Sequence, residues 1–402
     1  MSRILFCWEL GGGYGHIGNF LNLGRALRDR GHQVLFALKD LSRAENMLGC
    51  HGFDLLQAPL WLPQPVGVPP PGNYSEMLFS FGYFDEAGLT GVVRAWRRLF
   101  DLVDADLLVM ENSPTALLAA RGMPTPRALL GTGFSCPPPA SPMPALRWWQ
   151  TGVKYRFDEH DSILLRTMNG VMQRVGGPSM ATFIDLLAAD ETFLCTFPEL
   201  DHYPSRGKQQ CYWGPAFNVS QGATPQWPIG EGKCVFAYLD PSHPEFAIVI
   251  GALRNSKYRV LVHAPGTSER NRREHQTARL SFTTTAAHIQ EVLSGTDLIV
   301  CHSGHGLVAA TLLAGKPLLL IPSHVEQYML AQRVEQLGAG LMWIKGRGDS
   351  VLRKMLGELL SKARYAEAAL AFSEKHRDFS QSAQIDAIVQ RMEVLAMKSN
   401  HH

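Results

Sequence analysis

Two histidines in glycine-rich segments are the residues of this sequence best placed to do chemistry. The first, His16, lies within GGGYGHIG, residues 11–18, directly after an apolar run and before a helical repeat. An imidazole there, with an ordinary pKa of about 6.5, can accept a proton near neutral pH and act as a general base. Capping or packing of the turn is the plain structural alternative. Gly13, Gly15 and Gly18 also satisfy G-x-G-x-x-G, and Asp40 falls where a ribose-binding acid would stand, which gives a dinucleotide reading. The second histidine, His302, opens the run His302, Ser303, Gly304, His305, Gly306 after the apolar stretch DLIVC. A glycine-bearing turn that opens a helix presents unpaired amides and the positive end of the helix dipole, which suits a diphosphate. His302 would add a side-chain donor. Glu326 and Gln327 follow the next apolar run and are expected at the same rim, where a carboxylate and an amide can bond sugar hydroxyls. A solvated helix start is the alternative for that pair.

Strands feeding helices must position these side chains. Residues 3–10 and 33–39 read as strands on either side of a helix at 19–30, in which Phe20, Leu23, Ala26 and Leu27 share a face. That is a βαβ unit, whose sheet should be parallel and buried on both sides. A helix at 91–103, a strand at 106–110 and a helix at 114–121 follow, with Pro-rich loops at 59–71 and 137–144. Over 214–232 the composition turns to Gly and Pro, the pattern of a linker. The alternation then repeats, with strands at 233–239, 259–265, 297–301 and 317–321 and helices at 244–253, 308–314 and 327–337. Two successive doubly wound α/β domains are expected, with ligands at the carboxyl ends of the strands.

GGGYGHIGNFLNLGRALRDRGHQVLFA and CHSGHGLVAATLLAGKPLLLIPSHVEQYMLAQRVEQLGAG resemble the two signature regions of nucleotide-sugar glycosyltransferases of the GT-B fold. The likeness is to the UDP-glycosyltransferase superfamily that includes bacterial natural-product and macrolide glycosyltransferases, with the MurG type more distant. VLVHAPG and IQEVLSGTDLIV extend it through the second half. The resemblance implies two Rossmann-like domains facing a central cleft. Residues 1–213 would bind the acceptor and 233–375 the nucleotide sugar, with 214–232 as linker and a C-terminal helix at 376–400 packing back on the first domain. His16 would deprotonate the acceptor hydroxyl, and Glu111 would orient it from a position where the family usually has Asp. His302 would contact the donor diphosphate beside the amide-lined turn Ser303, Gly304, His305 and Gly306, and Glu326 and Gln327 would hold the sugar. Gly12, Gly13 and Gly15 would line the donor and acceptor loop.

The implied reaction inverts the sugar and needs neither metal nor cofactor, with a UDP- or dTDP-linked sugar as co-substrate and a small molecule as acceptor. Three departures stand out: Leu307 replaces a phosphate-binding Ser or Thr, Ala310 a ribose-binding Glu, and Asp240-Pro241 the usual Gly-Ser. They leave open a catalytically silent GT-B partner; a nucleotide-sugar 2-epimerase and an NAD(P)-dependent oxidoreductase are the other rivals. Asp104-Ala105-Asp106 matches D-x-D but precedes its strand, at the wrong end of the sheet for a ligand.

Composition narrows the classes further. Over 402 residues, 46% are hydrophobic and 18% charged, which excludes a disordered polyelectrolyte. Lys plus Arg number 38 against 36 Asp plus Glu, so there is no net field to grip a nucleic acid. Seven scattered cysteines without C-x-x-C point to a reduced, cytoplasmic chain. The first apolar run is too short for a signal peptide, and no stretch is long enough to span a membrane. Trp148-Trp149, between Arg147 and Lys154, fits ordinary packing as well as a membrane surface or the acceptor pocket, and the basic run Arg270 to Arg279 reads as a solvated loop ahead of a contact for an anionic ligand. Trp61, Tyr74, Phe79, Phe81, Tyr83 and Phe84 lean towards an aromatic or lipophilic acceptor.

Overall fold

The computed structural model describes residues 1–12, 14–63, 66–151, 156–207, 210–217 and 222–399. The chain forms two compact units: residues 1–197, 203–216 and 380–402 make the first, and 198–202 with 217–379 make the second. Each is built on one six-stranded sheet in which every strand pair is parallel.

The first sheet contains β1 (Arg3–Trp8), β2 (Gln33–Leu38), β3 (Asp54–Gln57), β4 (Leu107–Glu111), β5 (Arg127–Gly131) and β6 (Glu191–Leu194), in the order β3-β2-β1-β4-β5-β6. Its residues alternate faces with the period of two that a pleated strand imposes. Leu5, Cys7, Leu108 and Met110 pack with Trp96 and Phe100 of the helix Glu86–Val103 and Met168 of the helix Phe157–Arg174. Ile4, Phe6, Trp8 and Val109 pack on the opposite side with Phe20, Leu23 and Leu27 of the helix Tyr14–Asp29, and with Val389, Met392 and Leu395 of the helix Gln381–Ser399. Burial on both sides explains why these strands read as continuous apolar runs.

The second sheet contains β7 (Cys234–Tyr238), β8 (Arg259–His263), β9 (Leu280–Phe282), β10 (Leu298–Cys301), β11 (Leu318–Leu320) and β12 (Gly340–Met342). Its order, β9-β8-β7-β10-β11-β12, repeats that of the first sheet strand for strand. Right-handed crossovers wound outward in both directions leave a point where the strand order reverses, and ligands bind there in such sheets. The reversal lies between β1 and β4 in one unit and between β7 and β10 in the other.

Three helices start earlier than their apolar repeats predict. They begin at Tyr14, His305 and Val325, so His16, His305 with Gly306, and Glu326 occupy first helical turns rather than connecting loops, and Gln327 falls in the first turn instead of opening the helix. None of the described helices is long and apolar enough to cross a membrane. Among the described residues no disulfide forms.

Candidate functional site

In the first unit, β1 and β4 are neighbours and Trp8 is level with Glu111, so the two side chains that follow the reversal point start side by side. The turn after β1 is held by Leu10 N–H donating to Asn112 O at 3.0 Å and by the Trp8 indole donating to Leu10 O at 2.6 Å. Gly11 then takes a φ of +84°, which lets the chain enter the helix with His16 in its first turn. His16 Nδ1 lies 2.8 Å from Glu111 Oε2, and the imidazole stacks on Trp8 with ring centres 5.2 Å apart and planes 22° apart. Glu111 is buried. A carboxylate can only accept, so Nδ1 carries the proton and the ring's acceptor lone pair is on Nε2. Nε2 lies over Gly11, where an added Cβ would come within 2.5 Å of it.

Sequence reasoning did not single out Gly11, Trp8 or Glu9. Glu9 is buried one residue beyond the strand, and accepts from Thr115 N at 2.8 Å and Ala116 N at 3.1 Å. Burial pushes its carboxyl up to about 7, against the downward pull of those amides. A Trp-Glu-Leu-Gly-Gly run at a strand end was the available signal, but only the fold shows that the Glu turns inward.

The dinucleotide pattern does not match its physical requirements. Gly15 would tolerate a Cβ in open space and Gly18 meets only Met47 Cε at 3.5 Å, so neither serves a close approach of backbone. Gly12 is equally unconfined, and Gly13 lies outside the described residues. Asp40 caps the helix Leu41–Glu45, accepting from Arg43 N at 3.2 Å and Ser42 Oγ at 2.6 Å.

In the second unit, β7 and β10 are neighbours with Tyr238 level with Cys301. The segments that follow, 239–243 and 302–306, therefore leave the sheet together. His302 Nδ1 lies 2.8 Å from Ile321 O and its Nε2 accepts from Asp240 N–H at 2.9 Å. The ring is thus neutral and protonated on Nδ1, and burial holds its pKa below the ordinary value. That tautomer offers no N–H from Nε2 to a diphosphate. His243 stacks on it with ring centres 4.7 Å apart. Asp240 Oδ1 accepts from Ser242 N at 2.8 Å and Ser242 Oγ at 2.7 Å, bonds that hold its pKa below the usual range and fold the carboxylate into its own loop.

Ser303 takes the left-handed conformation with φ +61°, is buried, and its Oγ has no hydrogen-bond partner among the described residues. Gly304 is the N-cap of the helix His305–Leu313, whose first turn has no acidic residue. No carboxylate of that turn offsets the positive end of the helix dipole. His305 stacks on His202 with centres 6.0 Å apart, and desolvation pushes its pKa down to about 4 although the ring is partly open to solvent. Glu326 and Gln327 follow β11, the strand next to β10. Gln327 Oε1 accepts from Ser323 N and Oγ at 2.9 and 2.8 Å, which leaves its amide N–H groups as the donors it can offer.

Other expectations resolve differently. Of the six aromatics that leaned towards an acceptor, Tyr74 and Tyr83 are core residues, and Trp61 lies against Gly82 and Gly88; Phe84 is exposed. They do not line one surface. Asp106 Oδ2 accepts from Arg3 N at 2.7 Å at the amino end of β4, a structural contact. The basic run is mainly a helix, Glu269–His275, with Arg270 paired to Glu274 at 3.0 Å. Trp148 and Trp149 meet edge to face, while Lys154 lies outside the described residues. Among the described residues, no group of three or more His, Cys, Asp or Glu could hold a metal ion.

Residues 250–383 match the family described as glycosyltransferase family 28 C-terminal domain. A sterol 3-beta-glucosyltransferase of Leptosphaeria maculans is 37% identical over 81 residues, 20% of this chain and 6% of that protein. The NDP-glycosyltransferase YjiC of Bacillus subtilis (strain 168) is 32% identical over 99 residues, 24% of this chain and 25% of its own. The chain thus spans a quarter or less of the curated relatives it matches. The glycosyltransferase of kitacinnamycin superposes with a TM-score of 0.73 at 17% identity, covering 97% of this chain and 99% of that one. The glycosyltransferase VinC, solved in complex with dTDP, superposes at 0.64 and 15% identity, with 100% of both chains covered. These likenesses place the fold among GT-B glycosyltransferases.

Proposed function

We propose that this chain is a GT-B glycosyltransferase that moves a sugar from a nucleoside diphosphate to an acceptor hydroxyl, with His16 as general base. The observation that carries the reading is the 2.8 Å contact of His16 Nδ1 with Glu111 Oε2 at the reversal point of the first sheet. A buried carboxylate on Nδ1 fixes the tautomer that has its lone pair on Nε2, and stabilises the imidazolium that forms when Nε2 takes a proton. Support for a nucleotide-sugar donor comes from the glycosyltransferase family match over 250–383 and from the helix His305–Leu313, whose positive pole no acidic residue of its first turn offsets.

In the proposed step, the acceptor O–H proton passes to Nε2 as the oxygen bonds the anomeric carbon. The bond from that carbon to the diphosphate oxygen breaks, and its electron pair leaves with the diphosphate. Attack from the face opposite the leaving group inverts the configuration. The amides and the positive pole of the helix His305–Leu313 would receive the developing charge without a metal ion. Glu326 and the amide of Gln327 would hold the sugar. UDP and dTDP are the nucleotides proposed, the second because VinC was solved with it. The donor-binding role of the second unit and the acceptor-binding role of the first belong to the same proposal.

The test is turnover of UDP- and dTDP-glucose with a panel of hydroxylated aromatic acceptors, with the anomeric configuration of donor and product read by NMR. An inverted glycoside supports the reading. A retained configuration overturns the base role of His16, and an isomerised sugar without an acceptor replaces the reading with an epimerase.

A further inference from the structure

His302 is committed through both ring nitrogens, so the second unit needs another imidazole if one is to donate to a phosphate. The loop after β7 supplies it. Asp240 folds back on Ser242 and gives its N–H to His302, which turns the chain so that His243 stacks on the His302 ring. His243 Nδ1 accepts from Glu245 N–H at 3.2 Å. A neutral ring whose Nδ1 accepts must carry its proton on Nε2. Among the described residues that N–H makes no hydrogen bond, and it belongs to a half-buried side chain. Asp240 and Lys345 are the charged groups nearby whose fields act on this ring from outside the stack, together with Glu245 on its own segment.

We infer that His243 contributes the N–H that binds the donor diphosphate, through Nε2, and that His302 is a positioning residue which pins Asp240 and backs the His243 ring. The Asp240-Pro241 departure then has a physical role, because the Asp carboxylate is tied to Ser242 rather than pointed at an anion. The inference rests on the reading of the second unit as the donor half.

The experiment is calorimetric binding of UDP and dTDP to the full chain and to His243→Ala and His243→Gln, with unfolding midpoints as a folding control. Gln places an amide N–H near the position of the imidazole Nε2. His243→Ala should weaken nucleoside-diphosphate binding by about tenfold or more, the range for a hydrogen bond to a charged group, and His243→Gln should regain most of it. Donor KM should rise in the Ala variant and kcat should fall with it, because the same N–H meets the charge that develops on the leaving diphosphate. Equal affinity of His243→Ala and the parent overturns the inference and leaves the glycosyltransferase reading standing. An equal loss in Ala and Gln variants also overturns it. A parent chain that binds neither nucleotide removes the donor reading itself, and this inference with it.

Discussion

The two units wind the same strand order around the same kind of reversal point, yet they bring opposite chemistry together there. Between β1 and β4 an imidazole meets a buried carboxylate, and between β7 and β10 an imidazole meets another imidazole and a backbone N–H. The first pairing leaves the ring's acceptor lone pair on His16 Nε2. The second leaves His243 Nε2 without a hydrogen bond among the described residues and keeps the Asp240 carboxylate occupied. The glycines differ in the same sense, since Gly11 is forced by a positive φ and by His16, whereas Gly304 has an ordinary φ of −67° and empty space where a Cβ would go. One topology thus holds an imidazole against a carboxylate in one unit and against a second imidazole in the other, because the sheet fixes where loops start and the loop residues decide what they present.

Separating catalysis from affinity would break this comparison most directly. His16→Ala should lower kcat by about 10²- to 10⁴-fold while leaving the dissociation constant for UDP or dTDP unchanged, whereas His302→Ala should weaken nucleotide binding. Similar losses of affinity in both variants, measured by calorimetry, would erase the proposed division of labour.

A second contrast concerns pH. Glu9 has its pKa raised from the ordinary 4.5 to about 7, so the folded chain keeps a proton that the unfolded chain has lost. Stability should therefore fall as pH rises from 4.5 to 7, by about 3 kcal/mol at most, and Glu9→Gln should remove that slope. His305 acts the other way in the second unit. Its pKa is lowered from 6.5 to about 4, so the unfolded chain protonates first and stability is lost as pH falls through that window, by a smaller amount because the ring is partly solvated. Denaturant titrations of parent and Glu9→Gln from pH 4 to 9 check both slopes; an unchanged slope in the variant refutes the Glu9 assignment.

The smallest effect separates the two glycines. Gly11→Ala adds a Cβ in the left-handed region and should cost about 1–2 kcal/mol together with most turnover. Gly304→Ala should cost under about 1 kcal/mol yet weaken nucleotide binding, since its Cβ would enter the proposed donor site. A destabilised Gly304→Ala or an active Gly11→Ala would undo the contrast.

The long central strands were legible because their faces are both buried: RILFCW, QVLFAL, LLVME and CVFAY are runs of apolar residues that no other element explains. LSF and GLM hold only two apolar residues each, and RALLG begins on Arg127 and ends on Gly131, so none of the three carries the pattern of a strand. The helix starts lie outside the apolar repeats for a related reason. Tyr14 to His16, His305 to Leu307 and Val325 to Gln327 stand at the rim of a sheet, and the apolar repeat that marks a helix appears only where it packs.

The sequence by itself determined the residue types at both sites and the doubly wound class, because glycine-flanked histidines and the alternation of strand and helix are local patterns. Tertiary structure alone decided which partners those residues meet. Glu111 stands 95 residues from His16, and Asp240 stands 62 from His302. Their contacts exist because parallel pairing sets β1 beside β4 and β7 beside β10, and register then fixes which side chains are level. Whether His302 donates or accepts depends on those partners, and a residue's place in the chain carries no record of them.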